Sequence, residues 1–110
     1  MKGERLAELE ELALLAVATL GDEAYGIAVQ ELLETETARE VSLGAVYAAL
    51  ERMEQKRLVT SVVGEPTPER GGRRKRLFAV TRAGMDALHA SREAREALWR
   101  ALAKAGKGRG

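Results

Sequence analysis

The side chains of this sequence that could take part in chemistry favour binding over catalysis. The 110 residues include no cysteine and one histidine, His89, which excludes thiolate catalysis, disulfides and cysteine-based zinc sites. No serine, histidine and acid form a triad pattern, and Gly71-Gly72 is too short for a phosphate-binding motif. His89 lacks carboxylates at metal-ligand spacing and is interpreted as a helix surface residue. We therefore expect no enzyme activity, cofactor or metal site.

Positive charge is concentrated in the second half of the chain. Residues 1–55 contain 4 Lys or Arg and 12 Asp or Glu, a net charge of −8, whereas residues 56–110 contain 14 and 5, a net charge of +9. Five cations fall within seven residues: Arg70, Arg73, Arg74, Lys75 and Arg76. Such a cluster can neutralise phosphates or enter the minor groove of DNA, and Arg73, Arg74 and Lys75 are the predicted contacts. A solvated hairpin tip is the alternative interpretation.

A helix with small outward residues is the second candidate for DNA contact. It is predicted from Leu43 to about Lys56, with Ser42 as N-cap, and its core face carries Val46, Ala49, Leu50, Met53 and Arg57. The opposite side lets a backbone approach the major groove. The predicted DNA-binding residues here are Ser42, Gly44, Ala45, Tyr47, Ala48 and Arg52. Helix packing is an equally good explanation for Gly44 and Ala45. Glu51 and Glu54 should point away from phosphates or read a cytosine amine.

The remaining elements must position these side chains. Apolar periodicity predicts a first helix over Arg5–Leu20 and a second, preceded by Asp22 and Glu23, from about Tyr25 to Glu36. A connector follows in which Val41 could touch a sheet edge. The segments Leu58–Gly64 and Arg76–Val80 are predicted strands around a loop that holds both prolines. A two-stranded hairpin is only marginally stable alone, so it should pack on the helices. This arrangement is a winged helix-turn-helix, mostly α with a small β-hairpin.

A last helix, capped by Thr81, is predicted from Arg82 to about Lys104, and the family resemblance given below implies that it mediates dimerisation. We expect residues 1–81 to be the DNA-binding domain, 82–104 the dimerisation helix and 105–110 a disordered tail. The first helix is apolar nearly all round from Leu12 to Val17, which favours burial on two sides. The predicted dimer contacts are Leu12, Leu15, Leu88, Leu98, Trp99 and Leu102. Arg92 and Arg95 interrupt the apolar stripe, and we hypothesise that they pair with Glu8, Glu10 or Glu11 of the other subunit.

Several segments together resemble the PadR family of bacterial regulators. They are LEELALLAV, GDEAYGIAV, SLGAVYAALERMEQKRLV and GEPTPERGGRRKRLFAVTRAG, and the similarity covers roughly residues 6–90. The resemblance implies a homodimeric repressor of a palindromic operator in double-stranded DNA. It implies DNA contact by Ser42, Gly44, Tyr47 and the stretch 73–75, and dimerisation through the C-terminal helix. With one such helix, the chain is similar to the family's shorter members.

The resemblance also raises the question of an effector, because some short members sense flat aromatic compounds at the dimer interface. Trp99, the single tryptophan, could stack on such a ligand, although filling the dimer core is the preferred interpretation. No apolar run has the roughly 18–20 residues of a membrane span, so a cytoplasmic protein is expected. A winged-helix protein-interaction module is the alternative function.

Overall fold

The computed structural model describes residues 6–64 and 75–108, which form four α-helices, a short 3₁₀ turn and a β-hairpin. In chain order the elements are α1 (Glu8–Leu20), the 3₁₀ turn (Gly21–Glu23), α2 (Gly26–Thr37), α3 (Leu43–Gln55), β1 (Val59–Val63), β2 (Arg76–Val80) and α4 (Arg82–Gly108). The order is that of a winged helix-turn-helix, which confirms the predicted fold.

The hydrophobic core lies between α1, α2, α3 and the hairpin. The face of α3 that holds Val46, Ala49, Leu50 and Met53 is buried, as predicted. The largest fully buried side chains are Phe78, Leu14, Leu50, Met53, Leu58, Val17, Val29, Val46 and Val59. Both α1 and α3 thus contribute several side chains to one core, and the direction of α3 is set by this packing.

Local backbone geometry sets the helix boundaries. α1 ends where predicted because Gly21 adopts a φ of 58°. α2 begins at Gly26, next to the predicted start, and residues 21–23 before it form a separate 3₁₀ turn. At the end of α3, Arg57 adopts a left-handed φ of 66° and is exposed, so its predicted place on the core face is wrong. The N–H of Leu58 donates to the carbonyl of Met53 (2.9 Å), which closes a Schellman motif.

The two strands are antiparallel and receive a third backbone segment at one edge. The cross-strand pairs run from Val59–Val80 to Val63–Arg76. Tyr25, just before α2, forms an isolated bridge with Leu77. The prediction that Val41 touches a sheet edge is therefore wrong; the side chains of Gln30 and Glu34 hold its backbone instead.

Helix α4 starts on the domain and then leaves it. Thr81 caps it as predicted, since its Oγ1 accepts a hydrogen bond from the N–H of Gly84 (3.0 Å). Every residue from Arg92 to Gly106 is exposed. The helix continues to Gly108, beyond the predicted end near Lys104. Alanine and lysine are strong helix formers and extend a helix that is already nucleated.

Candidate nucleic-acid interface

The turn between α2 and α3 is fixed by two side chains of α2. Gln30 Nε2 donates to the carbonyl of Val41 (2.9 Å), and the N–H of Val41 donates to Glu34 Oε2 (3.0 Å). Ala38 ends α2 in the left-handed region with a φ of 57°. Because both backbone polar groups of Val41 are bound to α2, the start of α3 is held in place relative to that helix.

The first turns of α3 present small residues at a capped helix end. Ser42 Oγ accepts a hydrogen bond from the N–H of Ala45 (3.0 Å), which confirms the predicted N-cap. Ser42, Gly44 and Ala48 are exposed, and Ala45 is half-buried. A Cβ added to Gly44 would meet no atom within 4 Å, so packing inside the chain does not require this glycine. The exposed side chains of this surface are short, and the surface lies at the positive end of the helix dipole.

Tyr47 lies at the edge of the core rather than off it, which corrects the prediction. Its side chain is half-buried, and its ring centroid is 6.3 Å from that of Phe78. The ring also lies directly against Gly26, the first residue of α2. Tyr47 therefore joins three elements, and its ring has a position set by tertiary packing.

Arg52 is drawn toward α1 by a buried carboxylate. Its Nε donates to Glu10 Oε2 (3.0 Å), while Lys56 Nζ lies 3.2 Å from Glu10 Oε1. Glu10 is 3% exposed, and its Oε1 also accepts the N–H of Ala7 (3.0 Å). The predicted DNA-contacting cation is thus engaged with its own chain, although its side chain remains half exposed.

The pKa of Glu10 reflects this environment. Burial by itself would raise the pKa, but hydrogen bonds from the Ala7 N–H, Arg52 and Lys56, together with the charge of Lys56, lower it below the ordinary value of 4.5. Glu10 is therefore an ionised anchor for the C-terminal half of α3.

The described base of the hairpin holds part of the predicted basic cluster. Lys75 Nζ lies 4.6 Å from the centroid of the Tyr25 ring, and the Lys75 carbonyl accepts the N–H of Gly64 (2.6 Å). Arg76, at the start of β2, binds Glu51 and Glu54 of α3. Both acids point toward the hairpin base. Arg70, Arg73 and Arg74 lie outside the described residues, so their predicted DNA contacts stay predictions.

The predicted dimer residues divide into two groups. Leu88 is 6% exposed and Leu12 is half-buried, and both pack in or against the core of their own chain. Leu88 and Leu12 therefore leave little surface exposed in the single chain, and their assignment as dimer contacts stays a prediction. The residues that remain exposed are Leu15 (46%), Leu98 (72%), Trp99 (69%) and Leu102 (59%).

Both arginines that are hypothesised to pair across subunits have an acidic partner within the chain. Arg95 Nη2 lies 2.5 Å from Glu11 Oε1, which joins α4 to α1. Arg92 Nε donates to Glu96 Oε2 (2.8 Å) one helical turn away. Glu11 is buried at this contact between α1 and α4.

Sequence reasoning missed three residues that shape this surface. Gly26 makes room for the Tyr47 ring, Glu10 holds Arg52, and Arg76 holds two acids of α3. The sequence offered one signal for these residues: Gly26, a weak helix former, stands at the start of the predicted second helix. Acidic residues such as Glu10 carry no sequence mark of burial.

No group of three His, Asp or Glu side chains in residues 6–64 and 75–108 is placed to hold a metal ion. Within the same ranges, no helix combines the length and apolar character that a membrane crossing requires.

Comparison with known proteins identifies the relatives of this chain. Residues 14–90 match the model of the transcriptional regulator PadR-like family. Among curated protein sequences, none is significantly similar.

Solved structures with the same fold include several regulators. A PadR family transcription regulator from Clostridium difficile R20291 is 20% identical, with a TM-score of 0.71 over 89% of this chain and 97% of that one. A transcriptional regulator from Clostridium thermocellum is also 20% identical, with a TM-score of 0.71 over 87% of each chain. A PadR-like regulator from Bacillus cereus ATCC 14579 is 20% identical, with a TM-score of 0.69 over 87% of this chain and 88% of that one.

Proposed function

The chain belongs to the PadR-like family of transcriptional regulators, and from this premise we propose that it is a sequence-specific repressor that binds a palindromic operator as a homodimer. The start of α3 is the observation that carries the proposal. Ser42, Gly44 and Ala48 are exposed on a capped helix whose position is fixed by the preceding turn. Such a surface lets the backbone approach base edges in the major groove.

The hairpin supplies the second contact in this proposal. Lys75 and the neighbouring Arg73 and Arg74 bind flanking phosphates or enter the minor groove, which adds affinity that depends on salt. Tyr47 contributes a hydroxyl to a phosphate from the edge of the core. Binding blocks access of polymerase to the promoter.

Exposed apolar side chains support a homodimer. The 27 residues of α4 correspond to a length of about 40 Å, and its outer half makes an unpaired apolar stripe of Leu98, Trp99 and Leu102. A second copy of the chain would bury this stripe together with Leu15 of α1. Related by a two-fold axis, the two copies of α3 would enter successive major grooves about 34 Å apart.

The role of Trp99 has two interpretations, one of which includes a small-molecule effector. A cleft of about 520 Å³ is lined by α1 and α4 residues that include Leu15, Met85, His89 and Trp99. We infer that Trp99 fills the dimer core beside it; a flat aromatic effector stacked on Trp99 is the alternative. Titration with planar cationic dyes separates the two interpretations. A saturable change in Trp99 fluorescence is expected only if a flat aromatic compound stacks on Trp99.

Selection of binding sites from a fragmented source genome tests the DNA proposal. Fluorescence anisotropy on the enriched site, over a salt series, compares the wild type with a Tyr47→Ala, Arg73→Ala, Arg74→Ala variant. A matched control, Arg100→Ala, Lys104→Ala, removes the same charge from exposed positions of α4. We expect a palindromic site, steep weakening with salt, and loss of binding in the first variant only. No enrichment would overturn the proposal in favour of a protein-interaction module.

Sedimentation equilibrium tests the dimer. Leu98→Glu should give a monomer because it places a charge in the proposed apolar interface. Ala97→Glu is the control, since Ala97 is also exposed on α4 but lies away from the stripe. Equal dimerisation of both variants would remove α4 as the interface.

A further inference from the structure

Arg76 is bound by its own chain through every nitrogen of its guanidinium group. Nη2 lies 2.6 Å from Glu54 Oε1, Nη1 lies 3.5 Å from Glu51 Oε2, and Nε donates to Ser61 Oγ (3.2 Å). Ser61 Oγ in turn donates to Glu54 Oε2 (2.8 Å). The four side chains form one closed network between α3 and the hairpin.

Packing holds the guanidinium in this arrangement. Its central carbon lies 5.0 Å from the centroid of the Phe78 ring, and the Arg76 side chain is 33% exposed. Phe78 is itself buried in the core. A planar guanidinium that stacks on a fixed ring while it binds acceptors at its edge has little freedom to turn toward a phosphate.

The place of Arg76 in the chain gives the network a directing role. The Val63–Arg76 pair is the last of the hairpin before the loop that contains Arg73 and Arg74. Contacts from Arg76 to α3 therefore fix this end of the hairpin relative to the helix.

The charges add a second role. Glu51 and Glu54 lie on the helix proposed to enter the major groove, and their carboxylates would repel DNA phosphates if they were left uncompensated. Arg76 is the cation bound to both.

We propose that Arg76 is a positioning residue rather than one of the phosphate contacts of the basic loop: it clamps the hairpin base to α3 and neutralises the two acids of that helix. The inference rests on the proposed DNA binding and assigns Arg76 a role distinct from that of Arg73 and Arg74. A phosphate contact and a clamp differ in salt dependence, since each neutralised phosphate contributes about 0.9 to the slope of log affinity against log salt.

A double-mutant cycle tests the assignment. Arg76→Ala, Glu51→Gln with Glu54→Gln, and the triple variant are compared with the wild type by anisotropy on the selected site and on unrelated duplex, over a salt series. We expect Arg76→Ala to weaken binding about tenfold without lowering the salt slope. In the Arg76→Ala background the two glutamines should recover part of that loss, because they remove the uncompensated charge without restoring the clamp. In the wild-type background they should instead weaken binding, because they replace the charged acceptors that hold Arg76.

Two results would overturn the inference. One is a salt slope lowered by about one in Arg76→Ala; the other is an equal effect of the glutamines in both backgrounds. If Arg76→Ala does not fold, Arg76→Lys takes its place, because lysine keeps the charge but cannot bridge three acceptors. If Arg76→Lys binds DNA with wild-type affinity, the clamp is contradicted. If the wild type binds neither the selected site nor the unrelated duplex, the proposed function fails and the inference fails with it. If it binds DNA but Arg76 and the two glutamates show no energetic coupling, the inference alone fails.

Discussion

The ring of Tyr47 lies against Gly26, in the space that a Cβ atom on residue 26 would occupy. Because Gly26 of α2 has no side chain, the ring of Tyr47, a proposed DNA contact on α3, can take this position. It also explains why the ring is half-buried although it lies on the side of α3 opposite the core face.

Gly26→Ala should displace Tyr47 and weaken DNA binding. The new Cβ would lie 2.8 Å from Tyr47 Cε2 and nearer still to Cζ and the hydroxyl, so the ring must swing away. We expect a loss of about 1 kcal/mol in the free energy of unfolding and a weaker operator complex. Urea denaturation and anisotropy measure the two effects. In a Tyr47→Ala background the same substitution should have almost no effect; a full effect there would show that the ring is not the cause.

Gly44→Ala should change stability and DNA affinity in opposite directions. The added Cβ meets open space, and alanine favours a helix, so the free energy of unfolding should rise by about 0.5 kcal/mol. The same methyl group would stand between α3 and the groove and weaken binding. Gly106→Ala is the matched control, because that position is also open but lies at the far end of α4. Unchanged operator affinity in Gly44→Ala would place the DNA elsewhere.

Glu10→Gln should destabilise the protein most at neutral pH. The variant keeps the shape of the side chain but loses its charged hydrogen bonds to Arg52 and Lys56, at a cost of about 1–2 kcal/mol, since both cations remain partly exposed. The pKa of Glu10 is lowered in the folded state. Its contribution is therefore fully present above about pH 4.5 and is lost as the pH falls through the folded-state value.

The measurement is urea denaturation of the wild type and Glu10→Gln between pH 7 and pH 3. The difference between them should shrink as the pH falls below about 4.5. Glu31→Gln, at an exposed position of α2, should show no such trend. A constant difference for Glu10→Gln across the series would contradict an ionised anchor.

Arg57→Gly should stabilise the protein. Arg57 holds a left-handed φ of 66° at the end of α3, where glycine has no Cβ penalty, and a gain of about 1 kcal/mol is expected in the free energy of unfolding. Arg100→Gly removes the same charge from the interior of α4 and should instead cost about 1 kcal/mol. Thermal denaturation compares the two, and destabilisation by both would mean that the Arg57 side chain makes a net contribution of its own.

Most of the fold was predictable because its signals are local. The apolar periodicity of α3, the hydroxyl caps Ser42 and Thr81, and the β-branched strand segments act over a few residues, and each was found where expected. The left-handed conformation of Arg57 was not predicted. A Schellman motif usually has glycine at this position, and here arginine takes its place, so the sequence gives no signal.

The sequence by itself determined the element order, the core face of α3 and the family resemblance, all of which follow from spacing along the chain. The tertiary structure alone decided which charges meet: Arg52 with Glu10 across 42 positions, Arg76 with Glu54 across 22, and Arg95 with Glu11 within one chain. Charged residues look alike in sequence wherever they lie. Their partners are fixed only when helices pack and bring distant side chains within a few ångströms, and that packing separates a cation held by its own chain from one that can reach DNA.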